Sequence, residues 1–252
     1  MAIIIFLLGI TIGSFLNVCI YRIPKGESLV FPSSHCIKCN TPLKWYNLIP
    51  IISFILQKGR CRYCREAISL QYPVLELLTG IILTILYFNI GINIDFIYYL
   101  FLFSLLIIIT FIDIKHQIIP DGLILSILIG TILYKSIQYL LFDVPINLLN
   151  GLIGFIISSL FFLIIIIVSK GGMGGGDLKL IGVFGFILGF PEIILNIFLS
   201  FIIGGMVSIL LLAFKIKGRK DPIPFGPFII LGFIVTLFWG TCIISWYINS
   251  LF

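Results

Sequence analysis

The chain has 252 residues, 60% of them hydrophobic and 10% charged, with a formal net charge of +6 and a mean hydropathy of +1.24. A soluble domain carries about 25% charged residues, so the composition excludes one and points to an all-α polytopic membrane protein. Alternating segments of about ten residues are absent, which excludes a β-barrel; the positive charge is explained by basic inner loops, with no nucleic-acid partner.

Eight apolar segments follow in order, at 2–20, 72–90, 96–112, 122–142, 147–168, 178–190, 193–214 and 225–247. About eight transmembrane helices are therefore expected, although the sixth segment is short enough to be a tilted or broken helix. Residues 2–20 lack the basic start and cleavage site of a secretory signal and read as a retained first span with its N-terminus outside. The inner loops are then 21–71, 113–121, 169–177 and 215–224. Of the 16 Lys and Arg, all but Lys135 fall in those loops or at inner helix ends. Asp95, Asp143 and Glu192 mark the outer loops.

The first span ends in Gly13-Ser14-Phe15-Leu16-Asn17-Val18-Cys19-Ile20-Tyr21-Arg22. Its small residues permit close helix packing, and Asn17 needs a hydrogen-bond partner. The loop that follows is the one sizeable soluble piece. It holds Cys36-Ile-Lys-Cys39 and Cys61-Arg-Tyr-Cys64. Paired C-x2-C units at this distance read as a tetrahedral zinc site; the alternative is a pair of disulfides, which a reducing cytosolic face disfavours. Four Cys ligands leave no open position, so the zinc is expected to be structural, supplying folding energy to a loop with little core. Cys19 and Cys242 lie in apolar runs and read as buried small hydrophobes.

Glu76 falls about one turn into the second span. It is either a carboxylate reaching the interface or a substrate or cofactor contact. Asp113 closes the apolar run from Leu105, and Asp177 ends the glycine cluster Gly171-Gly172-Met173-Gly174-Gly175-Gly176. A carboxylate near hydrocarbon depth is costly and marks a functional site. Two at the same membrane face suggest a pair sharing one proton, the chemistry of an aspartic protease. The glycines are not a phosphate-binding loop, since no strand precedes them and no Gly-Lys-Ser/Thr ends them. They read either as a simple flexible loop or, preferably, as giving the backbone close access to a partner helix and an extended peptide. Asp121 follows Pro120 and fits an N-cap; His116 reads as a loop residue.

These pieces in this order resemble the bacterial type IV prepilin peptidases, the bifunctional leader peptidase/N-methyltransferases. The resemblance rests on Gly13 to Arg22, the paired cysteine loop, Tyr72-Pro73 with Glu76, Asp113 to Asp121, Gly174-Gly175-Gly176-Asp177 with Lys179, and Pro224-Phe225-Gly226-Pro227-Phe228. It spans nearly the whole chain. The Gly-x-Gly-Asp motif is that of a class of membrane aspartic proteases.

The resemblance implies an enzyme of the inner (cytoplasmic) membrane. Asp113 and Asp177 would cut the basic leader of a prepilin or pseudopilin at the cytoplasmic face. Gly174, Gly176 and Lys179 would form the substrate loop. S-adenosylmethionine would then methylate the new amino terminus. Residues 1–71 would carry the methyltransferase-associated part and 72–252 the peptidase core, with Asn17, Arg22 and Glu76 as candidates for the methyl-donor site. Leader recognition would need acids such as Glu27, Glu66 or Glu76. A transporter would also use intramembrane carboxylates, but no inverted repeat is visible. A zinc metalloprotease would need a His-Glu-x-x-His motif, which is absent.

Overall fold

The computed structural model describes residues 1–218 and 221–251. Arg219 and Lys220, two of the basic residues counted in the last inner loop, lie outside the described residues. Among the described residues every regular element is helical: α1 (Ala2–Arg22), α2 (Ile52–Leu56), α3 (Gln71–Ile90), α4 (Ile94–His116), α5 (Asp121–Phe142), α6 (Leu148–Val168), α7 (Gly175–Leu188), α8 (Glu192–Ala213) and α9 (Gly226–Leu251), with short 3-10 turns at Ile23–Lys25 and Trp45–Asn47. Helices satisfy every backbone group internally, which hydrocarbon demands. Seven of them are long and apolar enough to cross a membrane.

The exception among the eight expected spans is α7. Its 14 residues rise about 21 Å against a hydrocarbon thickness of about 30 Å. It also begins earlier than the apolar pattern implied. Gly174 is its N-cap in an extended conformation and Gly175 its first helical residue, so part of the expected glycine loop is helix. In the same way α4 runs on to His116, which puts Asp113 inside its last turn rather than in a loop.

The chain falls into two compact units, Met1–Ile108 and Ile109–Phe252, so the boundary lies within α4. In the first unit α3 packs along α1. The contact is close enough that a Cβ on Gly13 would stand 2.8 Å from the Cα of Glu76. In the second unit α6 packs on α7, and α8 on α9. The Phe184 and Phe233 rings stack at 4.0 Å between α7 and α9. Phe225 sits at 5.1 Å from Phe201 of α8 and 6.3 Å from Phe162 of α6. These rings fix the start of α9 against its neighbours.

Two sequence expectations need correction. Cys19 is buried as expected, but Cys242 is exposed, on a long helix with an apolar exterior. Asp121 is the first residue of α5, with Pro120 at the N-cap position; its carboxylate binds Lys179 instead of capping its own helix.

Candidate functional sites

Three elements of the second unit converge on the two aspartates. Asp113 is 5% exposed and Asp177 8% exposed. Asp113 stands at the C-terminal end of α4, where the helix dipole disfavours a carboxylate. The start of α9 compensates: the Gly226 N–H donates to Asp113 Oδ2 at 3.0 Å. Asp177 occupies the first turn of α7, where exposed N–H groups favour negative charge. Ile119 lies between the two motifs. A Cβ on Gly176 would stand 3.0 Å from its Cβ, and one on Gly226 3.1 Å from its Cδ1.

Only glycine fits at 226. Its Cβ would lie 2.6 Å from Asp113 Oδ2, so any side chain there displaces the carboxylate. The Pro224–Phe228 segment was singled out by resemblance alone, without a role for Gly226. The useful signal is a glycine between Phe225 and Pro227 at the start of an apolar helix. Gly174 packs near its own helix's carboxylate, with a Cβ position 3.4 Å from Asp177 Oδ2. Lys179 Nζ contacts both carboxylate oxygens of Asp121 at 2.8 Å. Both side chains are largely exposed, so this pair contributes at most about 1 kcal/mol. It ties the start of α5 to the start of α7. His116 is exposed in the last turn of α4.

The four loop cysteines of the first unit come together. Their sulfurs all lie within 4.8 Å of one another, and those of Cys36 and Cys64 are 3.9 Å apart. Tetrahedral thiolate ligation with Zn–S near 2.3 Å puts sulfurs about 3.8 Å apart, so the cluster fits zinc. The two halves are built alike. Cys36 N–H donates to Thr41 O and Asn40 N–H to Cys36 O; Cys61 N–H donates to Glu66 O and Arg65 N–H to Cys61 O. Asn40 and Arg65, each following the second cysteine, have φ of 54° and 63°. The Thr41 hydroxyl lies 3.2 Å from the Cys39 sulfur.

The same unit contains a cavity of about 370 Å³ lined by Ser14, Asn17, Tyr21, Arg22, Tyr72 and Glu76 together with residues of the cysteine loop. All three methyl-donor candidates therefore meet at one cavity. Asn17 Nδ2 donates to Tyr72 O at 3.3 Å and its Oδ1 accepts from Gln71 Nε2 at 3.4 Å. The buried Arg22 guanidinium donates to Ser28 O at 2.8 Å and Pro32 O at 2.6 Å, holding the loop as it leaves α1. Glu76 Oε2 accepts the Ile51 N–H at 2.7 Å. Ile51 has φ 61° and ψ −52°, a strained conformation for a β-branched residue. Of the other acids considered for leader recognition, Glu66 makes a long, exposed 3.8 Å pair with Lys38.

Known proteins resemble the chain along its length. The family model for the bacterial peptidase A24 N-terminal domain matches residues 7–90, and that for the type IV leader peptidase family matches residues 100–209. A prepilin leader peptidase/N-methyltransferase of Bacillus subtilis is 34% identical, the match covering 98% of this chain and 97% of the relative. Proteins of the same name from Aeromonas salmonicida and Pseudomonas aeruginosa are 31% and 30% identical, covering 98% and 96% of this chain and 94% and 92% of those relatives. No solved structure matches it. With two halves matched by the two family models and relatives aligned nearly end to end, the chain belongs to the type IV leader peptidase family, a protease and methyltransferase in one multi-pass membrane protein.

Proposed function

We propose that the second unit cleaves the leader of a type IV prepilin or pseudopilin at the cytoplasmic face of the inner membrane, with Asp113 and Asp177 as its acid–base pair. The observation that carries this reading is two buried carboxyls on helix ends that Gly176 and Gly226 bring together around Ile119. One carboxylate takes a proton from water as its oxygen attacks the scissile carbonyl. The other carboxyl gives its proton to the carbonyl oxygen, forming the tetrahedral adduct. The adduct collapses with C–N cleavage: the departing nitrogen collects the proton held by the first carboxyl, and one hydroxyl of the adduct returns its proton to the second carboxylate as the new C=O forms. The pair titrates as a unit, so the roles are not divided between residues. Groups of this kind contribute about 10²–10⁴-fold each. The Gly226 N–H orients Asp113 throughout. Gly174 leaves room for an extended peptide beside Asp177, Gly176 lets Ile119 pack against the first turn of α7, and Lys179 braces the start of α7 through Asp121.

The first unit then methylates the new amino terminus with S-adenosylmethionine. The amine's lone pair attacks the methyl carbon, the C–S bond breaks with its electrons left on sulfur, and the ammonium loses a proton to water. The cavity suits such a donor: tyrosine rings and the Glu76 carboxylate attract a sulfonium, and Asn17 and Arg22 fix its walls. Cys36, Cys39, Cys61 and Cys64 would hold zinc, which ties the loop together without entering the chemistry. Sorting of basic residues to one side supports the cytoplasmic orientation.

Intact mass spectrometry of a prepilin incubated with the purified protein and S-adenosylmethionine tests both halves. The expected product lacks the leader and carries one added methyl group. With Glu76→Ala the expected product lacks the leader but carries no methyl. A Glu76→Ala product that is still methylated would remove the donor from this cavity.

A further inference from the structure

The cysteine loop has an apolar outer face that the spans do not explain. In Ile52–Leu56 the residues Ser53 and Phe54 line the cavity, whereas Ile52, Ile55 and Leu56 point away from it. Ile55 is 65% exposed, Leu56 78%, and Trp45, in the 3-10 turn that precedes α2 by a short turn, 76%. Within α2, Ile52, Ile55 and Leu56 are exposed together, Trp45 of the preceding 3-10 turn is exposed with them, and Lys44, Lys58 and Arg60 flank them.

A hydrogen bond ties this segment to a membrane span. Ile51, which opens α2, donates its N–H to Glu76, five residues into the membrane-spanning α3. That is about 7.5 Å along the helix axis at about 1.5 Å per residue. An amphipathic segment in the membrane interface buries its apolar face about 5–10 Å below the headgroups. Both ends of the loop also emerge from spans, α1 and α3.

From this bond, this exposure and this flanking charge, we infer that residues 45–58 are an interfacial anchor, seated apolar face down in an anionic lipid surface. Trp45 and the outer face of α2 lie at the headgroup–acyl boundary, and Lys44, Lys58 and Arg60 reach lipid phosphates. One segment then has two faces, a membrane-facing one and a cavity-facing one. The consequence, which rests on the methyl-transfer reading, is that the donor cavity is held at the level where a membrane-anchored substrate presents its new amine. The docking itself does not depend on that reading.

The test uses the full chain with Trp239→Phe and Trp246→Phe, leaving Trp45 as the sole tryptophan, in bilayers of phosphatidylethanolamine and phosphatidylglycerol. Lipids brominated near the top of the acyl chain are expected to quench Trp45 at least twofold, and aqueous iodide hardly at all. Quenching by iodide instead would overturn the inference, as would protection from both quenchers, which would mean that protein covers the face. In the unaltered chain, a lipid-borne diazirine should label the peptide 45–56 on illumination. Label on the spans but not on this peptide would overturn it equally, whether or not the protein methylates anything.

Discussion

At the scale of single residues, the proposed cleavage site depends on one backbone amide and the absence of one methyl group. Gly226 donates to Asp113 at 3.0 Å, and an added Cβ would collide with the same oxygen at 2.6 Å. Gly226→Ala is therefore expected to lower the cleavage rate about 10²-fold, the usual cost of misplacing a reacting group by about 1 Å. Its methylation of a pre-cleaved peptide should be unchanged, measured by transfer of labelled methyl. Equal loss of both activities would mean a folding defect instead. The aspartates were legible from sequence because a carboxylate beside an apolar run has few other uses. The partner amide was not, because a backbone donor leaves no mark in the sequence. The bond between Glu76 and Ile51 was hidden for the same reason.

At the scale of elements, hydropathy located every membrane helix but misjudged some ends. The pattern started the sixth segment at residue 178, whereas α7 starts at Gly175. Glycine is a poor helix former, so its presence argued for a loop; packing against α6 and the Phe184–Phe233 stack override that propensity. The shift matters because it places Asp177 in a helical first turn. α2 escaped notice because Pro50 interrupts its apolar run and because the surrounding loop is basic. The paired C-x2-C spacing, by contrast, announced the cysteine cluster outright. Zinc is expected at one ion per chain by elemental analysis of the purified protein. Cys36→Ser should lose it, together with methylation but not cleavage. Retention of zinc by Cys36→Ser, or simultaneous loss of cleavage, would contradict a structural site confined to the first unit.

At the scale of the whole molecule, the proposed reading gives each of two compact units one chemistry. The first, Met1–Ile108, holds the cysteine cluster and the cavity; the second, Ile109–Phe252, holds the aspartates. Each family model falls largely within one unit. The membrane class was readable from composition, and the order of motifs was enough to indicate the family. The cavity was not readable, because its walls come from α1, the loop and α3 and only folding brings them together. The central claim is that the aspartate pair performs the cleavage, and its most direct test is single-turnover cleavage of a prepilin by Asp113→Asn and by Asp177→Asn in bilayers, with methylation of a pre-cleaved peptide as the control for folding. Loss of cleavage by at least about 10²-fold in each variant, with methylation intact, is the predicted result; substantial cleavage by either variant would contradict the account.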